Sequence, residues 1–318
     1  MSTPHFRRVA LLGIGLINGS LAKVIRREGL AEEIFACART EDTLAKATAL
    51  GLADRTTTTP AVAVEGADLV VIGTPVGVYG AVAEAMAPGL SAEAIVTDVG
   101  SIKADAIRAV VPHLPDPSRF VGGHPVAGTE HSGPEAAFDT LFAERHCILT
   151  PTDVTDPAAL ETVRGLWQAA GSMVETMTPE HHDRVLAITS HLPHLIAYTI
   201  VSTVADLEQH LKGEVLRYSA GGFTDFTRIA GSDPVMWRDV FLHNREAVLE
   251  MLGRFTEDLA ALQRAIRWGE GAKLQELFTR TRTIRRGVIA AGQAYDRHVL
   301  TDAEGEPDDD GADESRNS

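Results

Sequence analysis

Cysteine is nearly absent. Cys37 and Cys147 are the only two in 318 residues, too few for the disulfide framework of a small secreted domain. No block of Lys and Arg appears, and the chain is net acidic, −15 at pH 7 with histidine neutral. Nucleic acid is therefore not an expected partner. No apolar stretch approaches the roughly 20 residues needed to span a bilayer, which argues against a membrane partner. Met1 to Arg8 lack the apolar run of a secretory leader. A cytoplasmic protein is expected.

What is present is an ordinary globular composition, 44% hydrophobic, over a length that suggests two domains at roughly 100–200 residues each. The negative charge is uneven. Residues 301–318 hold eight acids against one base, Arg316, and are expected to form a disordered acidic tail that cannot bury apolar surface.

From Arg8 onward, short Val- and Ile-rich runs alternate with amphipathic segments. Val9–Gly13, Glu33–Ala38, Asp68–Ile72 and Ala94–Asp98 read as strands, and Asn18–Glu28 and Glu41–Leu50 as helices. This is the pattern of βαβ units with a parallel sheet, whose functional loops gather at the carboxyl ends of the strands. After Thr178 the runs Pro179–Gln209, Pro234–Ala265 and Ala272–Leu300 carry apolar residues at helical spacing. The expected fold is a doubly wound, Rossmann-like α/β domain over 1–178, an all-α domain over 179–300 and the tail over 301–318.

The first strand runs into Gly13-Ile-Gly15-Leu16-Ile17-Asn18-Gly19-Ser20. Gly13 permits a tight turn, and Gly15 lets backbone N–H groups approach a pyrophosphate at a helix N-terminus. Asn18 stands where the fingerprint has its third glycine. The second strand ends on Ala38-Arg39-Thr40 without a carboxylate. Arg39 and Thr40 suit a 2′-phosphate, a slight lean toward NADP+ over NAD+; the other reading leaves Arg39 on the surface and gives the ribose to Glu41 or Asp42. Thr74 and Pro75 follow the third strand and Ser101 the fourth, where a nicotinamide would lie, although Thr74 and Ser101 also suit turn or cap roles.

Gly122-Gly123-His124-Pro125 through Glu130 to Pro134 is too rich in Gly and Pro for a regular element and reads as a loop. His124, set among Gly-Gly and Pro, suits proton exchange with a substrate hydroxyl. The helical half holds Ser190-His191-Leu-Pro-His194 and Gly221-Gly-Phe-Thr224-Asp-Phe-Thr-Arg228 through Trp237. The Arg228 fork suits a carboxylate; the alternative is a structural pair with Asp225 or Asp233. No metal is expected, since the nearby histidines lack cysteine partners and hydride transfer to a nicotinamide needs none.

These runs together resemble the prephenate/arogenate (cyclohexadienyl) dehydrogenase family. The resemblance lies in Gly13–Ser20, Asp98–Lys103, Gly122–Pro134, Ser190–His194 and Gly221–Trp237. It implies NAD(P)+-dependent oxidative decarboxylation of prephenate and/or arogenate, in tyrosine biosynthesis. It further implies that His124 takes the proton of the ring hydroxyl and that Ser101 contacts the same hydroxyl and the cofactor. By the same analogy Arg228 binds a substrate carboxylate, His194 and His191 lie near the side chain, Trp237 walls the pocket and Glu130 gates it. Some members carry Lys where this chain has Thr224, which bears on substrate preference. A homodimer through the helical domain is implied. Two other classes fit the coarse pattern: a dehydrogenase of β-hydroxy or imino acids, and a non-catalytic dinucleotide-sensing module. Neither accounts for His124 to Glu130 together with Arg228 to Trp237.

Overall fold

Eight strands form one sheet: β1 (Phe6–Leu12), β2 (Ala31–Cys37), β3 (Arg55–Thr57), β4 (Leu69–Ile72), β5 (Ile95–Asp98), β6 (Phe120–Pro125), β7 (His146–Thr150) and β8 (Met173–Thr176). The computed structural model describes residues 3–206, 217 and 221–290. The spatial order is β3-β2-β1-β4-β5-β6-β7-β8, parallel throughout except where β6 meets β7. Side-chain alternation explains why both faces are covered. Val9 and Leu11 of β1, with Leu69 and Val71 of β4, enter one core; Ala10, Leu12, Val70 and Ile72 enter the other.

Helices α1 (Leu16–Arg27), α2 (Glu41–Ala49) and α6 (Pro157–Ala169) cover the first face through Ile25, Leu44 and Trp167. Helices α3 (Pro60–Val64), α4 (Tyr79–Met86) and α5 (Ala104–Val110) cover the second through Val64, Tyr79 and Val110. Each large apolar side chain buried in this way contributes about 1.5–3 kcal/mol. The chain leaves β1 in one direction toward β2 and returns on its other side as β4, so a crevice opens at the carboxyl ends of β1 and β4.

One expected loop is in part a strand. Gly122 to Pro125 belong to β6 and pair antiparallel with β7, Gly122 opposite Thr150 and His124 opposite Ile148. The glycines are there for space. A Cβ on Gly122 would lie 2.4 Å from Thr150 Oγ1, and one on Gly123 would lie 2.8 Å from the Asp98 carbonyl oxygen.

Beyond β8, α7 (Pro179–Leu186) opens on Thr178, whose hydroxyl accepts the His181 N–H, with Pro179 at the first helical position. A π turn over Ala187–His191 joins it to α8 (Leu192–Ala205). The result is a 27-residue helical run, Pro179–Ala205, with mean hydropathy 1.4 over its most apolar window, long and apolar enough to cross a membrane by length and composition. This differs from the expectation that no apolar stretch approaches that length; the run also holds the buried polar groups His182, Asp183 and His191.

The run expected as one helix from Pro234 to Ala265 is two, Pro234–His243 and Arg245–Arg267. They break at Asn244, whose side-chain amide is drawn inward to the Asp183 carbonyl and to His191. A further helix covers Gly271–Ala290. Contacts divide the chain into a compact unit through Leu252 and a second unit from Gly253. The acidic tail and the end of the expected helix to Leu300 lie outside the described residues.

Candidate active site

At the crevice, Gly13 has φ +88°, and a Cβ there would lie 2.7 Å from the Gly73 carbonyl oxygen, so only glycine lets the β1 and β4 loops touch. Gly15 caps α1, and a Cβ built on it meets nothing within 4 Å. The first turn of α1 has no acidic residue and no side-chain cap, which leaves its N–H groups for an anion. Thr74 Oγ1 is buried without a partner among the described residues. These features fit a dinucleotide pyrophosphate. Leu16 is buried, Ile17 half-buried and Pro75 exposed beside them.

Asn18 behaves differently from a phosphate contact. Its amide is buried and donates to the Val71 and Leu12 carbonyls at 3.2 and 3.4 Å, tying β1 to β4 where a glycine would leave a gap. Arg39 is exposed just past β2. The Thr40 hydroxyl caps α2 by accepting the Thr43 N–H at 3.3 Å. Thr40 is thus engaged locally, and the lean toward NADP+ finds no support in its geometry.

Under the carboxyl ends of β5 and β6, Lys103 and Asp98 form a fully buried ion pair. Asp98 also accepts from Tyr79 Oη (3.2 Å), Gly100 N (2.9 Å) and Gly123 N (3.1 Å), and Lys103 Nζ donates to the Gly123 carbonyl. The backbone immediately before His124 is therefore held by both members of the pair. Burial pulls the Lys103 pKa down against the pull of Asp98.

His124 is buried, with Nδ1 2.8 Å from His182 Nε2. His182 Nδ1 in turn lies 2.8 Å from Asp183 Oδ1. The Asp183 carboxylate also accepts the backbone N–H groups of Lys103 (2.7 Å) and Ala104 (2.9 Å) at the start of α5. Burial, then the charges of His182, Lys103 and His191, hold His124 well below the usual histidine pKa. Burial likewise lowers His182, with Asp183 opposing it. Burial raises Asp183, but the hydrogen bonds from His182 and the two backbone groups bring it below the usual carboxylate value.

A second cluster begins at the π turn. His191 is fully buried and pulled by burial to a pKa of about 4. Its Nδ1 faces Asn244 Nδ2 at 3.1 Å, while its Nε2 has no partner among the described residues. His194 stacks on Trp237, ring centroids 3.6 Å apart, and its Nδ1 donates to the Ser190 carbonyl at 2.9 Å. Trp237 Nε1 is buried and has no partner among the described residues. Arg228, in a short 3-10 turn, is exposed and lies 3.3 Å from Glu130.

Comparison with known proteins decides the family. A family model described as "Prephenate dehydrogenase, nucleotide-binding domain" matches residues 21–176, and "Prephenate dehydrogenase, dimerization domain" matches residues 178–280. The chain belongs to the prephenate dehydrogenase family. Among members of this family it is 39% identical to the cyclohexadienyl dehydrogenase of Zymomonas mobilis over 88% of this chain and 95% of that one. It is 34% identical to the prephenate dehydrogenase of Bacillus subtilis over 88% and 76%. A crystal structure of the Aquifex aeolicus prephenate dehydrogenase in complex with hydroxyphenyl propionate and NAD+ superposes with TM-score 0.84, at 36% identity over 90% of this chain and all of that one.

For this prephenate dehydrogenase family member, the structure brings His194 against Trp237, places His191 6.0 Å from the same indole, and pairs Arg228 with Glu130 rather than with Asp225 or Asp233. Ser101 is half-buried in the turn after β5, its backbone facing His191. Thr224 is exposed on the helix Gly221–Thr227. Sequence reasoning missed His182 as the partner of His124, Asp183 as the partner of His182, the Lys103–Asp98 pair and Asn244. Only the His-His-Asp run after the Thr178-Pro179 helix start hinted at the first; the others are contacts between distant segments.

Proposed function

We propose that this chain is a prephenate and/or arogenate dehydrogenase of tyrosine biosynthesis, a cytoplasmic enzyme that forms 4-hydroxyphenylpyruvate and/or tyrosine. The observation that carries this reading is His124, a buried neutral imidazole hydrogen-bonded through Nδ1, at the end of a strand beside the dinucleotide crevice. A nicotinamide dinucleotide supplies the hydride acceptor when bound.

The residues of this chain do the rest. The Gly13–Ile17 turn holds the pyrophosphate, and Thr74, Pro75 and Ser101 line the nicotinamide side. His124 takes the proton from the ring hydroxyl as the carbon loses its hydride. The carboxylate then leaves as CO2, and aromatisation makes the sequence effectively irreversible, so the protein needs mainly orientation and one base. Arg228 binds a substrate carboxylate by trading its Glu130 partner, so Glu130 acts as a gate. His194 and Trp237 form a flat wall for the ring, with His191 edge-on to the same indole. Thr224 stands at the side-chain end, where a neutral hydroxyl leaves room for either a keto or an amino acid side chain.

The experiment is steady-state kinetics of the purified protein with prephenate and arogenate, each crossed with NAD+ and NADP+. Turnover of at least one substrate supports the reading, and turnover of neither overturns it. The same matrix assigns the nucleotide. Arg39 is the group a 2′-phosphate would meet, so Arg39→Ala weakens NADP+ selectively if NADP+ is used. A homodimer through the helical segment is part of the proposal. Its support is the match to a dimerization domain and the exposed Leu259, Ile266, Trp268 and Phe278 of the second unit. Sedimentation at a monomer's mass would overturn it.

A further inference from the structure

The substrate proton arrives at a histidine poorly placed to keep it. His124 is buried, faces the Lys103 ammonium and has two further histidines as neighbours. Its other nitrogen, however, leads somewhere. Asp183 accepts two backbone N–H groups and remains an acceptor toward His182. His182 Nδ1 therefore carries the hydrogen of that contact, and the neutral ring presents a bare Nε2 to His124. His124 Nδ1 must then be the donor across the 2.8 Å contact, and its bare lone pair is Nε2. The two distances assign both tautomers.

We propose that the base of this enzyme is the pair His124–His182, with Asp183 as counter-ion: His124 receives the substrate proton on Nε2 and passes its Nδ1 proton to His182. The O–H bond of the substrate breaks and an N–H bond forms at His124 Nε2. The Nδ1–H bond of His124 breaks and an N–H bond forms at His182 Nε2. Two proton transfers have moved one net positive charge: His124 is neutral again, now carrying its hydrogen on Nε2, and the charge rests on His182 against Asp183. No oxidant or further reactant enters beyond the hydride acceptor of the proposed reaction.

The surroundings favour that end state. The groups facing the two rings are Lys103 and Asp98 from the β5–α5 segment, Asp183 on α7 and His191 on the π turn. Lys103 opposes charge on either ring. Of the two rings, Asp183 is hydrogen-bonded only to that of His182, and Asp98 acts on His182 as well. A cation is thus better placed one ring further from the substrate, and its separation from the ring ketone removes a route for the proton to return. His182 and Asp183 act through His124 and are positioning residues.

This inference rests on the proposed dehydrogenase activity, and its tests fail separately from that reading. In the intact protein with histidine nitrogens labelled, NMR reads the resting tautomers without any substrate. The expected result is the Nδ1–H form for both His124 and His182; His124 in the Nε2–H form overturns the proposal even if the enzyme is active. In turnover, His182→Gln keeps an acceptor for His124 but cannot hold the proton. It is expected to lower kcat by about 100-fold or more, with KM and cofactor affinity near wild type and the acid limb of the kcat profile displaced. A His182→Gln enzyme that turns over within threefold of wild type, with an unmoved acid limb, shows that His124 works alone. Should that variant not fold, the tautomer measurement still decides.

Discussion

Trp237 lies flat against His194, with ring centroids 3.6 Å apart and planes 22° from parallel. The stack joins two elements far apart in sequence, α8 and the helix Pro234–His243, and Trp237 is also part of the core beneath α4. A wall of the proposed pocket is therefore also a structural contact. Trp237→Leu is expected to lower stability by about 2–4 kcal/mol, as large-to-small core changes do, and to raise KM for the cyclohexadienyl acid. Urea unfolding together with steady-state kinetics checks both; an unchanged KM removes Trp237 from the pocket.

Lys103 and Asp98 are both fully inaccessible to solvent. Removing one partner of such a pair leaves an unpaired buried charge, so Lys103→Met is expected to cost about 3–5 kcal/mol. Because Lys103 also holds the Gly123 carbonyl, activity falls further than stability alone explains. Unfolding free energies and kcat at a temperature where the variant is folded test this. A variant as stable as wild type contradicts the role given to the pair.

Arg228 and Glu130 are half-exposed, and their pair contributes little to stability, about 0–1 kcal/mol. Arg228→Ala should therefore leave the melting temperature nearly unchanged while raising KM by about 10–100-fold, the effect of losing a charged substrate contact. A KM within twofold of wild type makes Arg228 a surface residue.

Burial lowers the pKa of His191 from 6.5 to about 4. An unfolded chain binds a proton here below pH 6.5 that the folded chain refuses until about pH 4. The stabilising effect is complete above 6.5 and declines as pH falls through that window, by an amount on the order of 3 kcal/mol. His124 and His182 are lowered in the same sense and add to the slope. Denaturant unfolding at pH 7.5 and pH 5 is expected to show a marked loss of stability at the lower pH, smaller in His191→Phe. Equal slopes in the two proteins contradict the assignment.

Much of the site could be read before any coordinates. Gly13 and Gly15 carry a physical signature, a strand–turn–helix with two glycines, and the turn does what that pattern requires. His124 stood out because its neighbours are small. The same smallness misled, since Gly122 and Gly123 are glycines for close packing inside a strand rather than for a loop. Asn18 looked like an imperfect phosphate contact and is a tie between β1 and β4. His182 and Asp183 lie 58 and 80 residues from the groups they bond, and no local pattern announces such pairings. Asn244 sits within an uninterrupted apolar period, and only the inward pull of its amide explains the helix break.

In the proposed reaction His124 removes the hydroxyl proton of a cyclohexadienyl acid. The decisive readout is the rate at which reduced nicotinamide appears with His124→Asn at saturating substrate and cofactor. A fall in kcat of about 10²–10⁴ is expected, with cofactor affinity unchanged. A kcat close to that of the unmodified enzyme would contradict it.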